Sequence, residues 1–159
     1  MKDYQEEAFQ ESLSFGKMVE DYVLSRIQKK YPKAFRRDGN HKQWDLYVPE
    51  TKTKIEVKSD AKSNHTGKFV IETSYGGRPS ALTTSTADFW VFFTGYKLIW
   101  ITKSQIMKAI KESGVRLRKF RGGLDKKEKT AYLLPKYYLE AHATKIDEPL
   151  NDLPSNFRF

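Results

Sequence analysis

The chain has no cysteine in 159 residues. Disulfides, zinc–thiolate centres and thiol nucleophiles are therefore excluded, and a reducing compartment is compatible. Histidine occurs only three times. Neither a His-Glu-x-x-His run nor a histidine pair at ligand spacing is present, which removes the common zinc hydrolase patterns. No Gly-x-x-x-x-Gly-Lys-[Ser/Thr] occurs, so the chain carries no P-loop motor. No apolar run approaches the ~20 residues that cross a bilayer. Met1 to Glu7 has no apolar signal-peptide segment. The expectation is a cytoplasmic protein with no membrane partner. Internal repeats and low-complexity tracts are also missing. Acids are scarcer than bases, 20 against 29, for a net charge of +9. That excess favours a polyanionic partner, nucleic acid ahead of a membrane surface.

Aromatic residues are plentiful, at 14%, enough for the core of one ordinary domain. The most informative stretch is Trp44 to Ser59, which reads as a β-hairpin. Trp44, Leu46 and Val48 alternate with polar residues, as do Ile55 and Val57. Pro49 to Lys52 supplies the turn. With Val48 and Thr53 flanking it, Leu46 falls opposite Ile55 and Trp44 opposite Val57, so five apolar side chains share a face. The same register sets Asp45 opposite Glu56, with Cβ atoms about 5 Å apart. Two carboxylates there repel unless a hard cation such as Mg²⁺ sits between them. Lys58 projects from the face of Glu56. An ammonium beside a metal-bound carboxylate pair suits phosphate chemistry, steering a phosphate or polarising the attacking water. A charged solvent face on an ordinary hairpin carries the same short pattern.

Asp45, ten residues, then Glu56-Val57-Lys58 resembles the PD-(D/E)XK nuclease superfamily. One departure is Trp44, which stands where the family name has proline. The likeness extends from about Glu20 to Ile101. Glu72, Gly77-Arg78-Pro79-Ser80, the hydroxyl-rich Thr83 to Thr86 and Ala87-Asp88-Phe89-Trp90 match the order seen in phage and bacterial endonucleases of that superfamily. The resemblance implies that Asp45 and Glu56 hold Mg²⁺ (or Mn²⁺), helped by the Val57 backbone carbonyl and by a first-helix carboxylate, Glu20. Lys58 would activate water. Glu72 could join the site or face solvent. Asp88 reads equally well as a cap or turn acid.

In chain order, residues 1 to 11 read as a polar lead-in and Ser12 to Tyr31 as a helix with Phe15, Met18, Val19, Tyr22, Val23 and Ile27 on one stripe, ended by Pro32. Ala34 to Arg37 is a candidate edge strand, followed by a turn and His41. After the hairpin, a polar loop carries Lys62, His65 and Lys68 as candidate phosphate contacts, with Arg78 in the next turn. Phe69 to Ser74 reads as a third strand of the central sheet. Ala81 to Thr86 reads as a short helix or a polar segment over the site. Phe89 to Phe93 and Lys97 to Thr102 read as a second hairpin, buried on both faces in its first strand. Ser104 is the expected cap of a helix with Ile106, Met107 and Ile110 inward and Gly114 as its stop. Val115 to Gly123 alternates apolar and basic residues, giving an outer row of Arg116, Arg118 and Arg121 with Lys119 nearby. With Lys126, Lys127 and Lys129 this is the densest positive segment and a candidate DNA contact. A charge-protected edge strand reads the same way. Ala131 to Leu134 is a strand, Lys136 to Ala143 a helix, and 144–159 a tail.

Together these give an α/β domain over 1–143, with a central mixed sheet of about five strands flanked by helices, as in a restriction-endonuclease-like core. The expected activity is that of a Mg²⁺-dependent endonuclease on DNA. With no separate reader domain, a structure-selective enzyme fits, either nicking or Holliday junction resolvase-like, and the latter would be a homodimer. Two alternatives stay open: a nucleic-acid-binding module without catalysis, and a structural or inhibitory phage protein.

Overall fold

The computed structural model describes residues 2–37, 43–60, 66–121, 127–155 and 157, with side chains from residue 13 onward. Among the described residues the elements are α1 (Lys2–Gln28), β1 (Phe35–Arg36), β2 (Leu46–Val48), β3 (Thr53–Ser59), β4 (Lys68–Tyr75), β5 (Arg78–Pro79), β6 (Phe89–Phe93), β7 (Leu98–Ile101), α2 (Lys103–Ser113), β8 (Arg118–Arg121), β9 (Glu128–Pro135), α3 (Lys136–His142) and β10 (Lys145–Asp147). The fold is α/β, with a six-stranded mixed sheet and a second, antiparallel sheet of four strands.

The six-stranded sheet runs β1-β2-β3-β6-β7-β10. Its hairpin has the expected register, Val48 opposite Thr53 and Leu46 opposite Ile55. Pairing stops there. The Asp45 N–H donates to the Ile55 carbonyl at 2.8 Å, so the expected Trp44–Val57 and Asp45–Glu56 pairs do not form. Trp44 packs against the apolar cluster on the other side of the sheet, the one that contains Trp90, and not against the cluster of Leu46. β3 and β6 are parallel, with Glu56 beside Trp90 and Lys58 beside Phe92. Asp88 extends this pairing: its N–H reaches the Lys54 carbonyl and its carboxylate accepts from the Lys54 N–H, both at 2.8 Å.

Two apolar clusters flank the sheet. Leu46, Val48, Ile55, Val57, Val91, Phe93 and Leu98 meet Val19, Tyr22 and Val23 of α1. Trp90, Phe92, Ile99 and Ile101 meet α2, α3 and the second sheet. The stripe read from the sequence is therefore the buried face of α1. The helix itself is longer at its start, from Lys2, and ends at Gln28, before Tyr31.

The second sheet, β5-β4-β9-β8, corrects the expectation for Phe69 to Ser74. This strand does not join the central sheet. It pairs with β9, sending Phe69 and Ile71 into the core with Leu134. Residues 81–84 form turns, with no helix. The segment read as a tail supplies β10, antiparallel to β7, and seats Leu150, Leu153 and Phe157 against the α1 cluster.

Helix α2 is capped by Thr102, not Ser104. The Thr102 hydroxyl accepts from the Gln105 N–H, and the Gln105 side chain accepts from the Thr102 N–H, a full capping box. Gly114 closes the helix at φ 72°, a left-handed position that favours glycine. Ile106 and Ile110 are buried as expected, but Met107 faces solvent. Thr102→Ala is expected to cost about 1 kcal/mol, lowering Tm by about 2–4 °C, while Ser104→Ala leaves Tm unchanged. Calorimetry of the two variants would reverse the assignment if Ser104→Ala were the damaging one.

Candidate functional site

Three elements converge on one cleft of about 330 Å³, lined by Glu20, Asp45, Glu56, Val57, Lys58, Glu72, Tyr75, Ser80 and Ala81. Strand β3 supplies Glu56 and Lys58. Alternation sends Ile55 and Val57 into the α1 cluster, which leaves Glu56 and Lys58 on the opposite face, beside Trp90 and Phe92. Helix α1 crosses β3, and Glu20 reaches the cleft from its border, next to the fully buried Val19. Its neighbour Asp21 turns outward to Arg36, 2.7 Å away.

Asp45 stands just before β2. Its Oδ2 accepts the Val57 N–H at 2.8 Å, doing with a side chain what the strand backbone no longer does. Burial raises its pKa, against the opposing pull of that N–H and of Lys58. Glu56 is only 7% exposed. Its Oε1 lies 3.4 Å from Lys58 Nζ, and its Oε2 has no hydrogen-bond partner among the described residues. Burial, then repulsion from Asp45 and Glu20, lifts Glu56 from the usual 4.5 to about 7, against the attraction of Lys58. Glu20 is also raised to about 7, by burial first and then by Asp45. Lys58 Nζ sits 5.5 Å from the centre of the Trp90 ring, a cation–π contact that steadies the ammonium. Glu56 is buried and Asp45 and Glu20 are half-buried, which separates them from the solvated charged face of an ordinary hairpin.

Glu72 also lines the cleft. Its Oε2 accepts from Ser80 Oγ at 2.7 Å, so the Gly77-Arg78-Pro79-Ser80 turn serves to orient that carboxylate. Ala81 follows at φ 41°, a strained position for a residue with a Cβ. A larger hollow of about 460 Å³ lies at the far end of α1. Its one carboxylate, Asp147, is already bonded by Trp100 Nε1 and Lys145. Among the described residues, no three acidic or histidine side chains form a ready-made metal cluster. Glu20, Asp45 and Glu56 line the cleft, with oxygen donors suited to a hard cation.

The candidate DNA contacts divide. Lys62, His65, His41 and Lys126 lie outside the described residues. Lys68 begins β4, at the opposite end of that strand from Tyr75, and does not line the cleft. Arg78 pairs directly with Tyr75. Arg116 is exposed just before β8. Arg118 and Phe120 share one face of β8, while Lys119 and Arg121 take the other. The expected single row of Arg116, Arg118 and Arg121 is thus not formed, since strand alternation continues through Phe120. Arg121 lies 3.7 Å from Glu128. Tyr75 was not expected at the site. Its place before the Gly76-Gly77 turn was the available signal, because such a turn sets an aromatic at a hairpin tip.

The raised carboxyl pKa values have a definite sign. A group whose folded pKa lies above its unfolded one stabilises the fold fully below the unfolded value and loses that contribution as pH rises through the folded one. For Glu56 the window runs from about 4.5 to about 7. In EDTA, Tm is expected to fall across this window, and Glu56→Gln to flatten the fall. The variant gains on the order of 1–2 kcal/mol over wild type at pH 8. Identical Tm–pH curves for the two proteins would show that no charge is being forced into a buried place.

Compared with protein-family models, with curated proteins and with solved structures, the chain finds no match.

Proposed function

We propose that the cleft is the active site of a metal-dependent endonuclease that hydrolyses DNA phosphodiester bonds. The observation that carries this reading is the burial of Glu56 beside Lys58 and the half-buried Asp45, with one Glu56 oxygen unpartnered among the described residues. A structural ion pair balances its charges. Here Asp45 and Glu56 share one ammonium in a cleft that Glu20 and Glu72 also line, a deficit that a divalent cation offsets. Asp45, Glu56 and Glu20 would hold Mg²⁺ or Mn²⁺, with the Val57 carbonyl as a further donor. When bound, such an ion lowers the pKa of water and offsets charge gained at phosphorus.

The remaining work falls to the chain's own groups. Lys58, fixed between Glu56 and the Trp90 ring, orients the attacking water and stabilises the developing charge on phosphate oxygen. Glu20, raised to about 7 in the metal-free cleft, gives up its proton when it takes a cation, so cation binding there strengthens as pH rises toward neutral. Ser80 fixes the orientation of Glu72 at the cleft wall. The likeness to the PD-(D/E)XK, restriction-endonuclease-like core supports the reading. Asp45 and the Glu56-Val57-Lys58 run occupy neighbouring chain segments of a mixed sheet, with a first-helix acid at the same cleft. On this reading the enzyme selects DNA by structure, nicking it or acting in a junction resolvase-like way. A resolvase cuts two strands and would be a homodimer. A second reading, a binding module without hydrolysis, rests on the basic face of the second sheet, which does not need the acids.

The test is cleavage of branched, nicked, linear and single-stranded DNA in Mg²⁺, Mn²⁺ or EDTA. Cutting is expected only with metal, and Glu56→Gln and Lys58→Ala each reduce it by ~100-fold or more. Mn²⁺ is also expected to raise the Tm of wild type and not of Glu56→Gln. Cutting that persists in EDTA or survives both substitutions sinks the proposal. Binding without cutting favours the module, and neither binding nor cutting at low salt favours a structural or inhibitory role.

A further inference from the structure

The second sheet presents a row of side chains that the acidic cleft does not account for. Arg78 on β5 pairs with Tyr75 on β4, Tyr75 pairs with Lys129 on β9, and Lys129 pairs with Phe120 on β8. Directly paired residues share a face of a sheet. The row therefore reads cation, aromatic, cation, aromatic, over about 14 Å at the usual strand spacing. The neighbouring row, Glu72–Ala131–Arg118, lies on the same face, because Lys129 and Ala131 are two residues apart. The opposite face of β4 is spent on the core through Phe69 and Ile71. One end of the row opens on the acids: Tyr75 and Glu72 both line their cleft.

Tyr75 is held in place. It is 38% exposed, and Lys127 Nζ stands 5.7 Å from its ring centre. The Gly76 N–H donates to the Glu128 carbonyl at 2.8 Å. A Cβ at Gly76 would meet Lys127 Cδ at 3.3 Å, so this glycine leaves room for the lysine stem across the turn. A fixed aromatic between cations matches an unpaired nucleotide, whose base stacks and whose phosphates meet the ammonium and guanidinium groups. In a continuous duplex, base faces are covered by their neighbours and unavailable to Tyr75.

We propose that this face is a single-strand platform, on which Tyr75 stacks an unpaired DNA base while Arg78, Lys129 and Arg118 hold the flanking phosphates. The proposal rests on the hydrolase reading for its biological sense, and it names the substrate class: DNA with an unpaired segment leading into the cleft.

The experiment is metal-free binding in EDTA of a single-stranded oligonucleotide carrying 2-aminopurine, with the matching duplex as comparison, using the full chain. Wild type and Tyr75→Phe are expected to quench the probe and to prefer the single strand. Tyr75→Ala is expected to lose the quenching and to bind ~10-fold more weakly, the range of a single stacking contact. Arg78→Gln and Lys129→Gln should keep the quenching, weaken binding and each lower the salt slope by about 1. Equal binding and quenching by wild type and Tyr75→Ala overturns the platform, even in a protein that cuts DNA. Loss of quenching in Tyr75→Ala, in a protein that never cuts with Mg²⁺ or Mn²⁺, upholds the platform and removes only the hydrolase.

Discussion

Carboxylates crowded into a cleft whose one lining cation among the described residues is Lys58 are the constraint to which the surrounding structure answers. Water would solvate Glu20, Asp45 and Glu56 separately. Burial withdraws that solvation and brings their charges together, so the charged forms become costly. The fold meets part of that cost in three ways. The Val57 N–H serves Asp45, Lys58 serves one Glu56 oxygen, and protonation serves Glu20 and Glu56 up to about pH 7. The other Glu56 oxygen has no such answer among the described residues. Packing alone does not call for such an oxygen, since an apolar residue of similar volume would fill the position at lower cost.

The sheet order is what makes the crowding possible. β3 lies inside the six-stranded sheet, between β2 and β6, so its side chains are covered on both faces. One face is closed by α1 and its apolar stripe. On the other, Trp90 forms a floor beneath Lys58, and the second sheet rises as a wall bearing Glu72 and Tyr75. Asp88 locks β6 to β3 through both of its hydrogen bonds to Lys54, which fixes Trp90 relative to Glu56. Residues far from the acids in sequence thus set their spacing.

The hairpin was legible because period-two alternation and a proline turn leave one sensible register. The acids were legible because Asp45 and Glu56 fall in otherwise strand-like text. Glu20 was legible only through the family resemblance, since its border position on the helix is shared with many solvated glutamates. The departure of β4 from the central sheet was not legible: Phe69 and Ile71 look the same whether they pack from one sheet or another, and only long-range pairing with β9 decides. β10 was missed because three residues show too little periodicity. Trp44 was misplaced because strand alternation was carried past the point where the Asp45 side chain takes over from the backbone. Thr102 and Ser104 are both good caps, and the partner Gln105 sits at the third helical position only from Thr102.

Charge on this molecule is segregated, and the segregation has a consequence for approach. Glu20, Asp45, Glu56 and Glu72 line the cleft, while Arg78, Arg118 and Lys129 stand on the adjoining sheet with Lys127 beside it. A polyanion is drawn to the sheet by its field, and repelled by ionised carboxylates in the cleft. Above about pH 7 and without a cation, that repulsion is greatest, because Glu20 and Glu56 have then lost their protons. A divalent ion, where bound, would reverse the local sign of the cleft. Under the hydrolase reading, the basic face provides affinity independently of metal, and the cleft admits the phosphate only once its own charge is compensated. Tyr75 belongs to both surfaces, so a base held there would set which phosphate crosses that boundary.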